Sequence, residues 1–179
     1  MSRKSRAWWL LVAVFLAAID LWTKTLANPY PAPGRGTEIK KVLIENWLAI
    51  EAVYNEGGVW SLPIPPVILL IATLLAVPLI VGWILFPVRS SKVETFAKAL
   101  VLSGAIGNGY DRIRYGMVRD FINFYYGDFA GSHWPTFNIA DSALVTGIGI
   151  LLILSFKHPS AASTESGTGG SGAGSSRTT

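Results

Sequence analysis

Cysteine is absent from this chain, histidine occurs only at His133 and His158, and charged residues make up 15% of its 179 positions. The missing thiols exclude a disulfide framework, a thiolate nucleophile, a cysteine-bound zinc site and an iron–sulfur cluster. Two isolated histidines do not suggest a metal centre, and no cofactor motif is present: the glycines from Gly104 to Gly109 are not followed by the G-K-[ST] of a phosphate loop. The shortage of charge is more telling, because a soluble domain normally carries about a quarter charged residues. Here 51% of the residues are hydrophobic and mean hydropathy is +0.43, which makes the membrane the expected solvent. The net charge of +4 sits in small groups beside apolar runs, with no basic helix face, so nucleic acid is not an expected partner. The basic residues read as topology and headgroup charges.

Four apolar segments organise the chain. The first, about 7–27, follows the basic start Arg3-Lys4-Ser5-Arg6. Its uncharged part has signal-peptide length, but bulky Trp8 and Trp9, the lack of an A-x-A site and a helical pattern continuing through Asp20 and Lys24 favour an uncleaved helix. The second, about 67–86, has 20 residues without a charge, enough to cross the hydrocarbon core. The third, about 93–112, contains Gly104, Gly107 and Gly109, small residues that permit close helix contact. The fourth, about 138–156, opens with Asn138 and Asp141 and is then uncharged up to Lys157. The expected architecture is a mainly α membrane protein, a four-transmembrane-helix bundle within residues 1–158. The basic N-terminus places both termini in the cytoplasm and segments 28–66 and 113–137 on the outer side. The N-terminal cluster carries most of that orientation, since Arg35, Lys40, Lys41, Arg114 and Arg119 fall outside in the same layout.

The first outer segment leaves the membrane through turn-rich Asn28 to Gly34 and offers Val42-Leu43-Ile44 and residues 47–54 as short strands of a small extracytoplasmic β-sheet. The second carries eight aromatic residues in the 23 positions from Tyr115 to Phe137, which reads as an amphipathic, interfacial segment at headgroup level. From 159 to 179, Ser, Gly and Thr fill 15 of 21 positions, too polar to offset ordering entropy, and a disordered cytoplasmic tail is expected.

An ionisable group at membrane depth costs several kcal/mol unless paired or hydrated, so each one needs a reason. Asp20 and Lys24 lie four residues apart and can pair on one helix face, either as a structural pair or in contact with substrate. Asn108, Asp111 and Arg112 stand at the end of the third segment, where Asp111 and Arg112 read as ties between the helix and the outer loop. Asp141, one turn after Asn138, is placed to cap a helix N-terminus, which favours an anion. Asp120, between Arg119 and Phe121, has no such role. If Asp120 and Asp141 face one polar cavity they share a proton, and one can activate water while the other donates to a carbonyl. Ion conduction and simple structural pairing remain open at this point, since 21 residues separate the two.

The same residues fall in motifs that resemble the lipoprotein signal peptidases, the type II signal peptidases of bacterial inner membranes. Asp20-Leu21-Trp22-Thr23-Lys24 resembles D-x-x-T-K, and the stretch Asn55 to Ser61 resembles N-x-G-x-A-F. Gly104 to Arg112 resembles G-A-x-G-N-x-x-D-R, followed by a V-x-D-F match at Val118 to Phe121, and Phe137-Asn138-Ile139-Ala140-Asp141 matches F-N-x-A-D. The resemblance implies an aspartyl endopeptidase of the bacterial cytoplasmic (inner) membrane with Asp120 and Asp141 as catalytic pair at the outer face. It implies no metal and no cofactor. Asp20, Lys24, Asn55, Gly57, Asn108, Arg112, Asn138 and Ala140 would line or support the site, and Asp111 would be structural. The implied substrate is a diacylglyceryl-modified prolipoprotein, cut just before the lipidated cysteine. Membrane lipid and cyclic-peptide inhibitors of the globomycin type are the other implied partners. The helix position of Asp141 makes it the readier of the pair to stay ionised, leaving the proton on Asp120.

The match departs at Val59 and Trp60, where the motif has a small residue and phenylalanine, and at Ser103, where glycine is common. Two other readings compete: a non-catalytic homologue that binds lipoproteins, and a small ion or proton transporter using Asp20, Lys24, Asp120 and Asp141 as a relay. The uncharged second segment and the gathering of acidic residues near one face oppose the relay.

Overall fold

The computed structural model describes residues 2–28, 38–57, 64–87, 90–126 and 132–157; Val59, Trp60 and the tail at 159–179 lie outside them. Four helices and four strands follow in the order α1 (Arg3–Ala27), β1 (Glu38–Ile44), β2 (Leu48–Asn55), α2 (Pro66–Leu85), α3 (Lys92–Tyr115), β3 (Val118–Tyr126), β4 (Ser132–His133) and α4 (Ile139–Lys157). The local chemistry of the ends is plain. Ser2 caps α1 by accepting from Ser5 N, and Ser91 caps α3 by accepting from Glu94 N. Gly116, at φ 75°, closes α3 in the left-handed conformation that favours glycine, with Arg112 and Arg114 in the last turn.

Among the described residues, three helices are long and apolar enough to cross a membrane: α1, α2 and α4. The outward side chains of α2, Val67, Ile68, Ile71, Leu74, Leu75 and Leu79 among them, are exposed and form an apolar surface suited to lipid. The third helix has comparable length but carries Lys92, Glu94, Lys98, Asp111, Arg112 and Arg114. It packs against each of the other three and buries residues from Thr95 to Asp111. Small residues allow this. A Cβ added at Gly104 would collide with the Ala140 carbonyl oxygen and Leu144, and one at Gly107 would lie 2.5 Å from Asp20 Oδ2. On the other side of α3, Ala99 and Leu102 form a small apolar core with Ala13 of α1 and Ile84 of α2.

The strands form one antiparallel sheet in the order β1-β2-β3-β4. The β1–β2 hairpin turns at Asn46, which takes a positive φ of 59°, a conformation asparagine tolerates. Two corrections to the sequence reading follow. Strand β1 begins at Glu38 rather than Val42, because ladder pairing with Ala52 and Glu51 recruits the polar residues Glu38 to Lys41, which show no apolar alternation. The aromatic segment 115–137 is not a lone interfacial stretch. Its first half is β3, flanked by strands on both sides, with Phe121 and Tyr125 buried and Phe124 stacked on Phe137.

Candidate active site

The first turn of α4 is held by two reciprocal contacts and a third from α1. Asn138 is its N-cap: Asn138 Oδ1 accepts from Asp141 N at 2.9 Å, and Asn138 N donates back to Asp141 Oδ2 at 3.2 Å. This is the capping box expected of an Asx residue followed three positions later by an acid. A further donor of this turn, Ala140 N, is taken by Asp20 Oδ1 of α1 at 2.8 Å. Asp141 therefore sits at the positive end of a helix dipole, half-buried and fixed in direction.

Asp120 arrives on β3, buried, with a donor on each carboxyl oxygen: Asn138 Nδ2 on Oδ1 at 2.6 Å and Asn55 Nδ2 on Oδ2 at 3.1 Å. Asn55 is itself oriented by Gly57 N, which donates to Asn55 Oδ1 at 3.0 Å. Asn138 thus touches both aspartates, one through its side chain and the other through its cap. The strand is anchored next door. Arg119 is fully buried; its guanidinium grips Asp111 of α3 with Nη2 2.8 Å from Oδ1, and its backbone N donates to Asp111 Oδ2 at 3.1 Å. The same guanidinium stands 4.8 Å over the Tyr115 ring.

Behind Asp141, Asn108 Nδ2 donates to Asp141 Oδ1 at 2.7 Å, while Asn108 Oδ1 accepts from Lys24 Nζ at 2.8 Å and from Asn138 Nδ2 at 3.2 Å. Lys24 also pairs with Asp20 at 2.8 Å and with Asp111 at 3.4 Å. Arg112 lies within electrostatic reach of Asp141, Asp120 and Asp111. The cluster then holds four carboxyl groups (Asp20, Asp111, Asp120, Asp141) and three cations (Lys24, Arg112, Arg119), so a single added proton brings it to neutrality. Asp120 is the group placed to hold it. Burial, and then the charge of Asp141, raise its carboxyl to about 7, against the opposing pull of Asn55, Asn138 and Lys24.

All eight residues expected to support the site fall at or beside this cluster: Asp20, Lys24, Asn55, Gly57, Asn108, Arg112, Asn138 and Ala140. Asp20 and Lys24 form a buried pair whose further contacts are Ala140 N and Asn108. Sequence reasoning missed Arg119, which it counted as an outer-side topology charge. Its only local signal is a basic residue beside the unexplained Asp120. Asp111 joins α3 to β3, the tie between helix end and outer loop that its position indicated.

Residues 12–157 match the family model described as signal peptidase (SPase) II. The chain belongs to the signal peptidase II family. Two curated relatives in the same family, both named lipoprotein signal peptidase, underline this. That of Francisella tularensis subsp. novicida (strain U112) is 36% identical over 152 residues, 82% of this chain and 90% of that protein. That of Pseudoalteromonas translucida (strain TAC 125) is 34% identical over 161 residues, 87% and 92% of the two chains. Two solved structures, each described as a bacterial membrane enzyme, resemble the fold. One has a TM-score of 0.71 at 27% identity and covers 90% of this chain and 95% of its own; the other has a TM-score of 0.68 at 28% identity, with coverages of 84% and 94%. Membership of the signal peptidase II family makes this a membrane protease that cleaves lipoprotein signal peptides.

Proposed function

We propose that the chain is an aspartic endopeptidase in which Asp141 and Asp120 share one proton and cut a diacylglyceryl-modified prolipoprotein just before its lipidated cysteine. The observation that carries this reading is the joint grip of Asn138 on Asp120 and Asp141 in a buried polar cluster one proton short of neutral. Asp141, ionised at a helix N-terminus, takes a proton from water as the oxygen attacks the scissile carbonyl carbon, and Asp120 gives its proton to the carbonyl oxygen. On collapse the carbon–nitrogen bond breaks, the leaving amine takes the proton from Asp141, and Asp120 recovers its own. Asn55, Asn108 and Asn138 hold the carboxyl oxygens in place through these steps, Asp20 and Lys24 support them, and Asp111 serves the frame.

In this reading α3 is the fourth membrane span, its roughly 36 Å length shielded by the three apolar helices. The basic residues at the start of α1, with Lys92 and Lys157, mark the cytoplasmic side of the inner membrane. The sheet and the aspartates then lie at the outer face, where a signal helix in the bilayer presents its lipidated end, and where a globomycin-type cyclic peptide would compete. The test is cleavage of a diacylglyceryl-prolipoprotein by the purified protein in detergent. The parent cuts, and Asp120→Asn and Asp141→Asn each abolish cutting while remaining folded. A parent that binds the substrate without cutting it would instead make this a lipoprotein-binding homologue.

A further inference from the structure

The two aspartates reach the site from separate pieces of backbone, β3 and the first turn of α4. Behind them one carboxyl group touches both β3 and the segment that leads into α4. Glu51 of β2 is buried, and its Oε2 accepts from Asn123 Nδ2 at 2.6 Å and from Thr136 Oγ1 at 2.9 Å. Asn123 lies three residues after Asp120 on the same strand, so its side chain leaves the opposite face of the sheet. Thr136 stands two residues before the N-cap Asn138.

A β-bulge brings Glu51 to this place. Ile50 pairs with Ile122 and Val53 with Asp120, so Glu51 and Ala52 together stand opposite Phe121 alone. Bulges of this kind re-aim a side chain and gather next to active sites. Along the other edge of β3, Phe121 N and Ile122 N both donate to the Phe137 carbonyl, at 3.1 and 2.8 Å. The segment entering α4 is therefore fastened to β3 at Phe137 by backbone and at Thr136 by Glu51. An apolar side chain would fill the position of Glu51 without the desolvation that a buried carboxyl group suffers, so its value lies in the two donors it joins.

We propose that Glu51 is a positioning residue for the aspartate pair: seated in the β2 bulge, it ties β3 to the segment that enters α4 and so sets the separation of Asp120 from Asp141. The inference rests on the reading of those two residues as the catalytic pair. Such a pair has to be held within about 0.5 Å, and a misplacement of about 1 Å costs roughly 100-fold in rate.

The test uses the full chain in detergent with a diacylglyceryl-prolipoprotein substrate, measuring kcat and KM separately and checking folding by thermal unfolding. Glu51→Ala is expected to lower kcat by roughly 10- to 100-fold with little change in KM. Glu51→Gln, whose amide oxygen can accept from both donors, recovers most of that loss. Thr136→Val, which removes one attachment, shows a smaller kcat-specific fall and keeps the test decisive if Glu51→Ala does not fold. Unchanged kcat in folded Glu51→Ala or Thr136→Val, or a change confined to KM, overturns the proposal. Asp120→Asn and Asp141→Asn run alongside. If they cut like the parent, the reading of the pair fails, and this inference with it; if they are inactive while the Glu51 and Thr136 variants match the parent, only this inference fails.

Discussion

Lys24 Nζ donates to Asn108 Oδ1 at 2.8 Å, and this contact decides which way the Asn108 amide faces. With its oxygen committed to a cation, the amide has only its NH2 group to offer Asp141. Asn108→Asp keeps the shape and the oxygen toward Lys24 but sets an acceptor against an acceptor at Asp141. A folded protein with cleavage reduced roughly 10²- to 10³-fold is expected, the loss that follows removal of one preorganised donor. Cleavage rates beside thermal unfolding curves check it.

The raised Asp120 carboxyl makes both stability and activity depend on pH. Native Asp120 keeps its proton up to about 7, whereas its ordinary value is 3.8, so between those values the folded chain binds more protons than the unfolded one. Stability is therefore greatest below pH 4 on this account, declines as pH rises toward 7, and is level above. Thermal unfolding in detergent from pH 4 to 8 should show that decline, and Asp120→Asn should flatten it. If Asp120 is the proton donor proposed above, cleavage by the parent should fall on the alkaline side.

Asp111 lies between two buried cations, Lys24 and Arg119. Asp111→Ala leaves the Arg119 guanidinium without its carboxylate, and breaking one partner of such a buried pair costs about 3–5 kcal/mol. The variant should unfold at much lower temperature than Asp120→Asn, a difference that separates frame from chemistry. Equal unfolding temperatures for the two would count against this assignment.

The crossing of α3 and α4 gives a paired comparison of glycines. At Gly107 an added methyl lies 2.5 Å from Asp20 Oδ2 and 3.1 Å from Ala140 Cβ, so Gly107→Ala pushes on the pair that caps α4. A loss of about 1–3 kcal/mol is expected from such overpacking. At Gly149, inside α4, an added Cβ meets nothing within 4 Å, and Gly149→Ala should gain about 0.5–1 kcal/mol of helix stability. The two melting shifts should have opposite signs.

Much of this arrangement is legible in the chain because it is local. Asp20 and Lys24 pair at the i,i+4 spacing of a helix, and Asn138 with Asp141 is a capping box written in four residues. Other parts depend on neighbours far along the chain. Arg119 reads as a surface cation until the turn at Gly116 folds β3 back on α3 and brings it to Asp111. Strand β3 has little alternation, since Arg119, Asp120, Phe121 and Asn123 are all buried, on both faces of the sheet. Glu51 looks like a polar position on a half-exposed strand, and the bulge, Asn123 and Thr136 together turn it inward. The polarity of α3 shows the same effect: its buried charges, Lys98 and Asp111, are tolerable because Glu94, Lys24 and Arg119 pair with them.

The bond from Ala140 N to Asp20 spans 120 residues and joins the first helix to the fourth. The cluster also draws on β2, α3 and β3, so a nascent chain that stops short of Asp141 does not contain it. Until α4 has docked on α1 and α3, Ala140 N lacks its acceptor on Asp20 and Asp141 lacks the donor on Asn108. A nascent chain interrupted before Asn138 therefore holds Asp20, Asn55, Asn108 and Asp120 but not the residue that ties Asp120 to Asp141.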